Sequence, residues 1–160
     1  MPRVTYNDVC FEMPEGWEDA SIVSLVAPQP STPTLMRARQ PQSERPNVVM
    51  TRASASGLLF SLEDYARSQE RILAEIMEGL EVLERDRLEL DAEGTQIPVE
   101  IREYSFRSPE GAVLRQAHAY LRVGDTMYTL TATGSYDSTF DAVRAHFMKL
   151  VSSFRPVSAE

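Results

Sequence analysis

The sequence predicts an α+β fold, one largely antiparallel sheet of at least five strands with two amphipathic helices laid on it. Three observations lead there. Four consecutive runs after residue 80 alternate with a period near two and are joined by short turns. Two other stretches step by three and four, the spacing of a helix face. The element order reads β-β-β-α-β-β-β-β-α, and a sheet with two faces supplies the apolar surface that each helix needs.

"VTYNDVCFEMP" (Val4 to Pro14) reads as a strand or a hairpin with a polar middle at Asn7 and Asp8. Pro14, Glu15, Gly16 and Trp17 make a turn, and "SIVSLVAP" (Ser21 to Pro28) is a second strand ended by proline. Residues 29–46 carry Pro30, Pro33, Pro41 and Pro46 among polar residues, which predicts a long loop. "NVVMTRASA" (Asn47 to Ala55) is a third strand.

The period then changes. Ser61 with Asp64 three residues on is a helix N-cap with an acid in the first turn. Leu62, Tyr65, Ala66, Gln69, Ile72, Leu73, Ile76 and Met77 follow as one stripe, and Gly79 is the expected C-cap. "EVLERDRLEL", "TQIPVEIREYSF", "AVLRQAHAYLRV" and "TMYTLTATGSY" predict an antiparallel meander. Its turns fall at Glu93-Gly94, Pro109-Glu110-Gly111 and Gly124-Asp125. Ser138 and Asp141 open a second helix with Phe140, Val143, Phe147, Leu150, Val151 and Phe154 on one face, and Pro156 ends it.

A chain of 160 residues is most simply one domain, residues 1–160, and buries roughly 70% of its unfolded surface without a covalent staple. A net charge of −8 argues against nucleic acid or an anionic membrane as the main partner. Cys10 is the single cysteine, so no intramolecular disulfide can form, and its apolar surroundings read as those of a structural thiol. "MPRVTYNDVC" lacks the apolar core of a signal peptide, and no run approaches the ~20 apolar residues of a membrane span. The expectation is a cytoplasmic protein with no direct membrane insertion.

Catalysis needs a constellation, and the sequence offers none. His118 on a strand and His146 on the second helix have no second histidine or cysteine at metal-ligand spacing. Glycines are scattered through turns without forming a phosphate loop. "ERDRLELDAE" (Glu84 to Glu93) reads as a solvated strand face rather than a carboxylate pair. "MRARQPQSER" (Met36 to Arg45) is basic but has no aromatic residues for bases to stack on. The expectation is therefore no enzyme, no cofactor and no metal. What stands out instead is uncharged polarity on apolar elements: Gln69, Gln116, Ser21, Ser24 and Thr51. Gln69 either borders its stripe, half exposed, or joins the others in an amphipathic groove that offers hydrogen bonds without charge.

Through "MPEGWEDASI", "NVVMTRASA", "LEDYARSQ", "LRQAHAYL", "LTATGSYDSTF" and "LVSSFRP", in that order, the chain resembles the DcrB/DUF1795 group. Within it the resemblance is closest to the Eag chaperones of type VI secretion effectors. It implies a Mog1/PsbP-like α/β/α sandwich. It also implies a homodimer that binds the hydrophobic, transmembrane N-terminal segment of a secreted effector and keeps it soluble before loading. DcrB-type members elsewhere are exported lipoproteins, and a chain without a leader points to the cytosolic branch.

The groove that the resemblance implies comprises Ile22, Ser24, Asn47, Thr51, Gln69, Met77 and Gln116. Ser24 stands where a second aliphatic residue is expected, and Asn47 where a small hydroxyl is. Trp17 would anchor the turn that starts the groove wall. Ile22, Val23 or Leu25, Met50 and Met77 would supply apolar surface, and the uncharged side chains would meet exposed backbone. A Mog1/PsbP-like module with another partner is the alternative, and a small enzyme with a cleft beside His118 is a third reading.

Overall fold

The alternation of side chains along the strands determines the layers on either side of the sheet. The computed structural model describes residues 3–6, 9–12, 18–21, 24–26, 47–54, 61–135 and 138–156. The N-terminal strands are β1 (Arg3–Tyr6), β2 (Val9–Glu12), β3 (Glu18–Ser21), β4 (Ser24–Val26) and β5 (Asn47–Ser54). Helix α1 (Leu62–Ile76) precedes the meander β6 (Glu78–Ala92), β7 (Thr95–Arg107), β8 (Val113–Val123) and β9 (Thr126–Ser135). Helix α2 (Ser138–Ser153) and the short β10 (Arg155–Pro156) follow.

Seven strands form an antiparallel sheet in the order β3-β4-β5-β9-β8-β7-β6. The expected meander is present, with glycines at the turns where φ is positive: Gly94 at 86°, Gly111 at 85° and Gly124 at 58°. Glu93 also has a positive φ, 54°, so the β6–β7 hairpin turns through two consecutive left-handed residues. The hairpin reading of Val4 to Pro14 matches β1 and β2, which pair from Arg3–Glu12 to Tyr6–Val9. They do not join the main sheet. With β10 they form a second, three-stranded sheet, because the chain after α2 returns to pair with β2. The expected turn at Pro14–Trp17 and the Pro-rich segment 29–46 lie outside the described residues.

Helix α2 packs over β8 and β9 and against β2. All six positions of its expected stripe are buried: Phe140, Val143, Phe147, Leu150, Val151 and the following Phe154. Opposite them the sheet presents Val48, Met50, Leu90, Ile97, Val99, Ile101, Ala117, Ala119, Leu121, Tyr128, Leu130 and Ala132, which complete the core. Gly134 is part of this packing, since a Cβ there would sit 3.4 Å from the Phe140 ring.

Helix α1 lies over β6, β7 and β8 on the other face. Ser61 caps it as expected, its Oγ accepting from the Asp64 N–H at 3.1 Å. The other end differs from expectation. Met77 is the C-cap, its N–H donating to Leu73 O, and Gly79 stands two residues on inside β6 with a φ of 66°. The stripe is also narrower than the sequence suggested. Ala66 is its one buried residue, while Ile72 and Ile76 are exposed.

Candidate partner-binding face

The strand register produces three rows across the face that carries α1. The first runs Val82, Tyr104, Gln116, Thr133, Asn47. The second runs Arg85, Arg102, His118, Thr131, Val49, and the third runs Arg87, Glu100, Tyr120, Thr129, Thr51. Helix α1 covers the β6–β8 part of these rows. Beyond β8, Thr129, Thr131, Thr133, Asn47 and Val49 are half-buried and Thr51 is exposed. Their sequence neighbours Val48, Met50, Tyr128, Leu130 and Ala132 are all buried on the α2 side. That alternation along β5 and β9 marks one face as core and the other as the partly exposed one. Asn47, Val49, Thr51, Thr129, Thr131 and Thr133 are all uncharged.

Under α1 the floor is polar. The His118 Nε2 lies 2.8 Å from Gln116 Oε1, and the Tyr120 hydroxyl lies 3.1 Å from His118 Nδ1. The Gln116 amide also donates to Thr133 Oγ1 at 3.1 Å. Tyr104 meets the His118 ring edge-on at 5.1 Å, and Tyr65 of α1 meets Tyr120 the same way at 5.7 Å. Burial pushes the His118 imidazole down to about 4, so it is neutral near pH 7. Burial likewise raises the Tyr104 phenol to about 12 and the Tyr120 phenol further.

A ladder of ion pairs borders this floor. Glu70 accepts twice from Arg85, at 2.5 and 3.2 Å, and lies 3.8 Å from Arg102 Nε. Arg102 and Arg87 both bond Glu100, and Arg87 reaches Glu63, which also pairs with Arg67. These residues, with Arg71 and Asp86, line a cleft of about 810 Å³ between α1 and the β6–β7 edge. On the α2 face Glu103 accepts from Arg115 at 3.2 Å and from Arg144 at 3.0 Å, and Arg144 also reaches Glu84. Burial in the first place, and Glu84 in the second, hold the Glu103 carboxyl above its usual range against the pull of both arginines.

The structure brings Asn47, Thr51 and Gln116 onto one sheet face. Half-buried Gln69 lies on the helix that packs on that face, one turn after Tyr65, and makes no side-chain hydrogen bond among the described residues. No hydrogen bond joins it to Gln116. Met77 is half-buried at the C-cap of α1. The register sets Ser24 opposite Val49 on the neighbouring strand. Ile22 and Val23 lie outside the described residues.

Met50, expected to supply groove surface, does not. It is 3% exposed and belongs to the core cluster on the α2 side, because Thr51 and Val49 take the open side of the same strand. The solvated reading of Glu84 to Glu93 holds for its charged side chains, with Arg85, Asp86, Arg87, Glu89, Asp91 and Glu93 exposed; Glu84, Arg85 and Arg87 also tie β6 to both helices, and Leu90 and Ala92 are buried. Sequence reading missed the buried charges Glu100, Arg102 and Glu103. Their one signal was that "VEIREY" breaks the apolar alternation of its strand at both parities. Among the described residues no group of three or more His, Cys, Asp or Glu could hold a metal, and no helix is long and apolar enough to cross a membrane.

A seven-stranded antiparallel sheet with a helix on each face defines a Mog1/PsbP-like α+β protein, and solved structures agree. The Ran-binding protein Mog1p of Saccharomyces cerevisiae is similar at 13% identity and a TM-score of 0.63, over 94% of this chain and 91% of that one. Cyanobacterial PsbP from Synechocystis matches at 16% identity and a TM-score of 0.54, over 93% and 86%. A Pseudomonas aeruginosa protein of unknown function, PA94, matches at 17% identity and a TM-score of 0.60, over 94% and 92%. The chain belongs to the DcrB family, whose model matches residues 8–153. No curated protein matches the sequence.

Proposed function

We propose that this protein is a cytoplasmic chaperone that binds the hydrophobic N-terminal segment of a type VI secretion effector and shields it until loading. The observation that carries the reading is the open area of the sheet beside α1. Asn47, Val49, Thr51, Thr129, Thr131 and Thr133 offer aliphatic carbon and uncharged hydrogen-bonding groups there, next to Gln116. An apolar helix in water needs its side chains covered, and a charged surface would impose a desolvation cost on both sides. Threonine meets both demands, since its hydroxyl can bond backbone groups exposed at small residues. Membership of the DcrB family supports the reading. One copy is small for enclosing two transmembrane helices, so the working unit is a homodimer.

The test is co-purification with the N-terminal fragment of the effector encoded beside it. Thr51 is exposed, so Thr51→Arg should leave unfolding unchanged while weakening capture at least tenfold. Full capture by a folded Thr51→Arg protein would remove the open face as the binding surface. Light scattering that finds monomer, alone and with fragment, would refute the dimer.

A further inference from the structure

We propose that His118 is a positioning residue for the binding face: it holds the Gln116 carbonyl inward, so that Gln116 and Thr133 present hydrogen-bond donors to carbonyl oxygens of the bound segment. The inference rests on the open face being the partner site. A carboxamide oxygen can only accept, so the imidazole nitrogen 2.8 Å from Gln116 Oε1, Nε2, carries the proton. A neutral imidazole has one such proton, which makes Nδ1 an acceptor and the Tyr120 hydroxyl its donor at 3.1 Å.

The chain of donation therefore runs from Tyr120 through His118 to Gln116, and then to Thr133 Oγ1. It comes from a buried tyrosine and histidine and ends on two half-buried residues at the margin of the open face. One hydrogen of the Gln116 amide and the hydroxyl hydrogen of Thr133 have no acceptor among the described residues. Those two hydrogens are what the relay delivers to a partner. The opposite polarity would need the amide turned over and the proton on Nδ1, and the same two residues would then offer acceptors.

Two measurements decide it, and they fail separately from the chaperone reading. Nitrogen-15 NMR of the full chain at pH 7 should show His118 protonated on Nε2 and bare on Nδ1; a proton on Nδ1 would overturn the relay with no partner present. His118→Gln keeps a donor near the Nε2 position and should bind the effector fragment within about threefold of wild type, whereas His118→Phe fills the space without donating and should bind about tenfold more weakly. A merely structural histidine would lose stability in both variants and affinity in neither, and equal affinity of folded His118→Phe and wild type would overturn the proposal. Tyr120→Phe serves if His118→Phe does not fold. It keeps the ring on Tyr65, removes the donor to Nδ1, and should populate the second tautomer and weaken binding about threefold. An unchanged tautomer and affinity there would count against the relay. If wild type itself ignores the fragment, the partner reading falls, and the NMR result still decides the polarity.

Discussion

The two helices sit on opposite faces of one sheet and are held by different physics. Helix α2 with Phe154 places six large apolar side chains in the core, none more than 4% exposed. At about 1.5–3 kcal/mol for each buried side chain, that face is an anchor. Helix α1 buries only Ala66, leaves Ile72 at 50% and Ile76 at 68% exposure, and is tied down by Glu63, Glu70 and the edge of Tyr65. Exposed ion pairs contribute about 0–1 kcal/mol each. The open face lies beside the weakly held helix, where adjusting the width of a groove costs least.

Breaking the anchor should have the largest effect. Phe147→Ala should lower stability by about 3–5 kcal/mol in denaturant unfolding, since the ring is wholly buried between helix and sheet. A loss under 1 kcal/mol would erase the contrast between the helices.

The second test uses acid against the polar floor under α1. The folded pKa of His118, about 4, lies below the ordinary 6.5, so the unfolded chain binds the extra proton first. The contribution of the neutral ring is complete above pH 6.5 and is lost as pH falls toward 4, by up to about 3 kcal/mol. Subtracting the profile of His118→Gln isolates this group, and a flat difference between pH 7 and 4 would mean that the ring is solvated.

Smaller effects should separate the attachments of α1. Glu70→Ala removes both bonds from Arg85, which is itself mostly solvated, and should cost about 1 kcal/mol or less. Amide exchange in α1 should quicken with the substitution and with 1 M salt, while α2 stays protected. Smallest of all, Gln69→Ala and Ile72→Ser should each change stability by no more than about 0.5 kcal/mol. A larger loss for Gln69→Ala would place that side chain in the core and not at the margin of a groove.

How far the fold could be read follows from the same contrast. The stripe of α2 was legible residue by residue, because burial by apolar packing writes itself as a period. The meander and its glycine turns were legible for the same reason. The stripe of α1 was overread at Ile72 and Ile76, because the pattern cannot tell a face covered by sheet from one left in water. Glu70 went unnoticed since its partners, Arg85 and Arg102, lie far along the chain on β6 and β7. At the candidate site Asn47, Thr51 and Gln116 were named from resemblance, and the register brings them together. Met50 was misassigned by one position of strand parity, and the Gln116–His118–Tyr120 chain follows from i, i+2 spacing that reads as ordinary alternation.

Strand β6 forms one margin of the seven-stranded sheet, and its charge order governs how copies of the protein can meet. Two copies joining edge to edge would be related by a two-fold axis normal to the sheet, which maps each face onto itself. Residues of equal parity would then oppose each other. Centring that pairing on Asp86 sets Asp86 against Asp86 and Arg85 against Arg87, and centring it on Arg85 or Arg87 opposes two guanidinium groups. Like charges directly across a strand pair are destabilising, so the sequence "ERDR" disfavours β6–β6 pairing in these three registers.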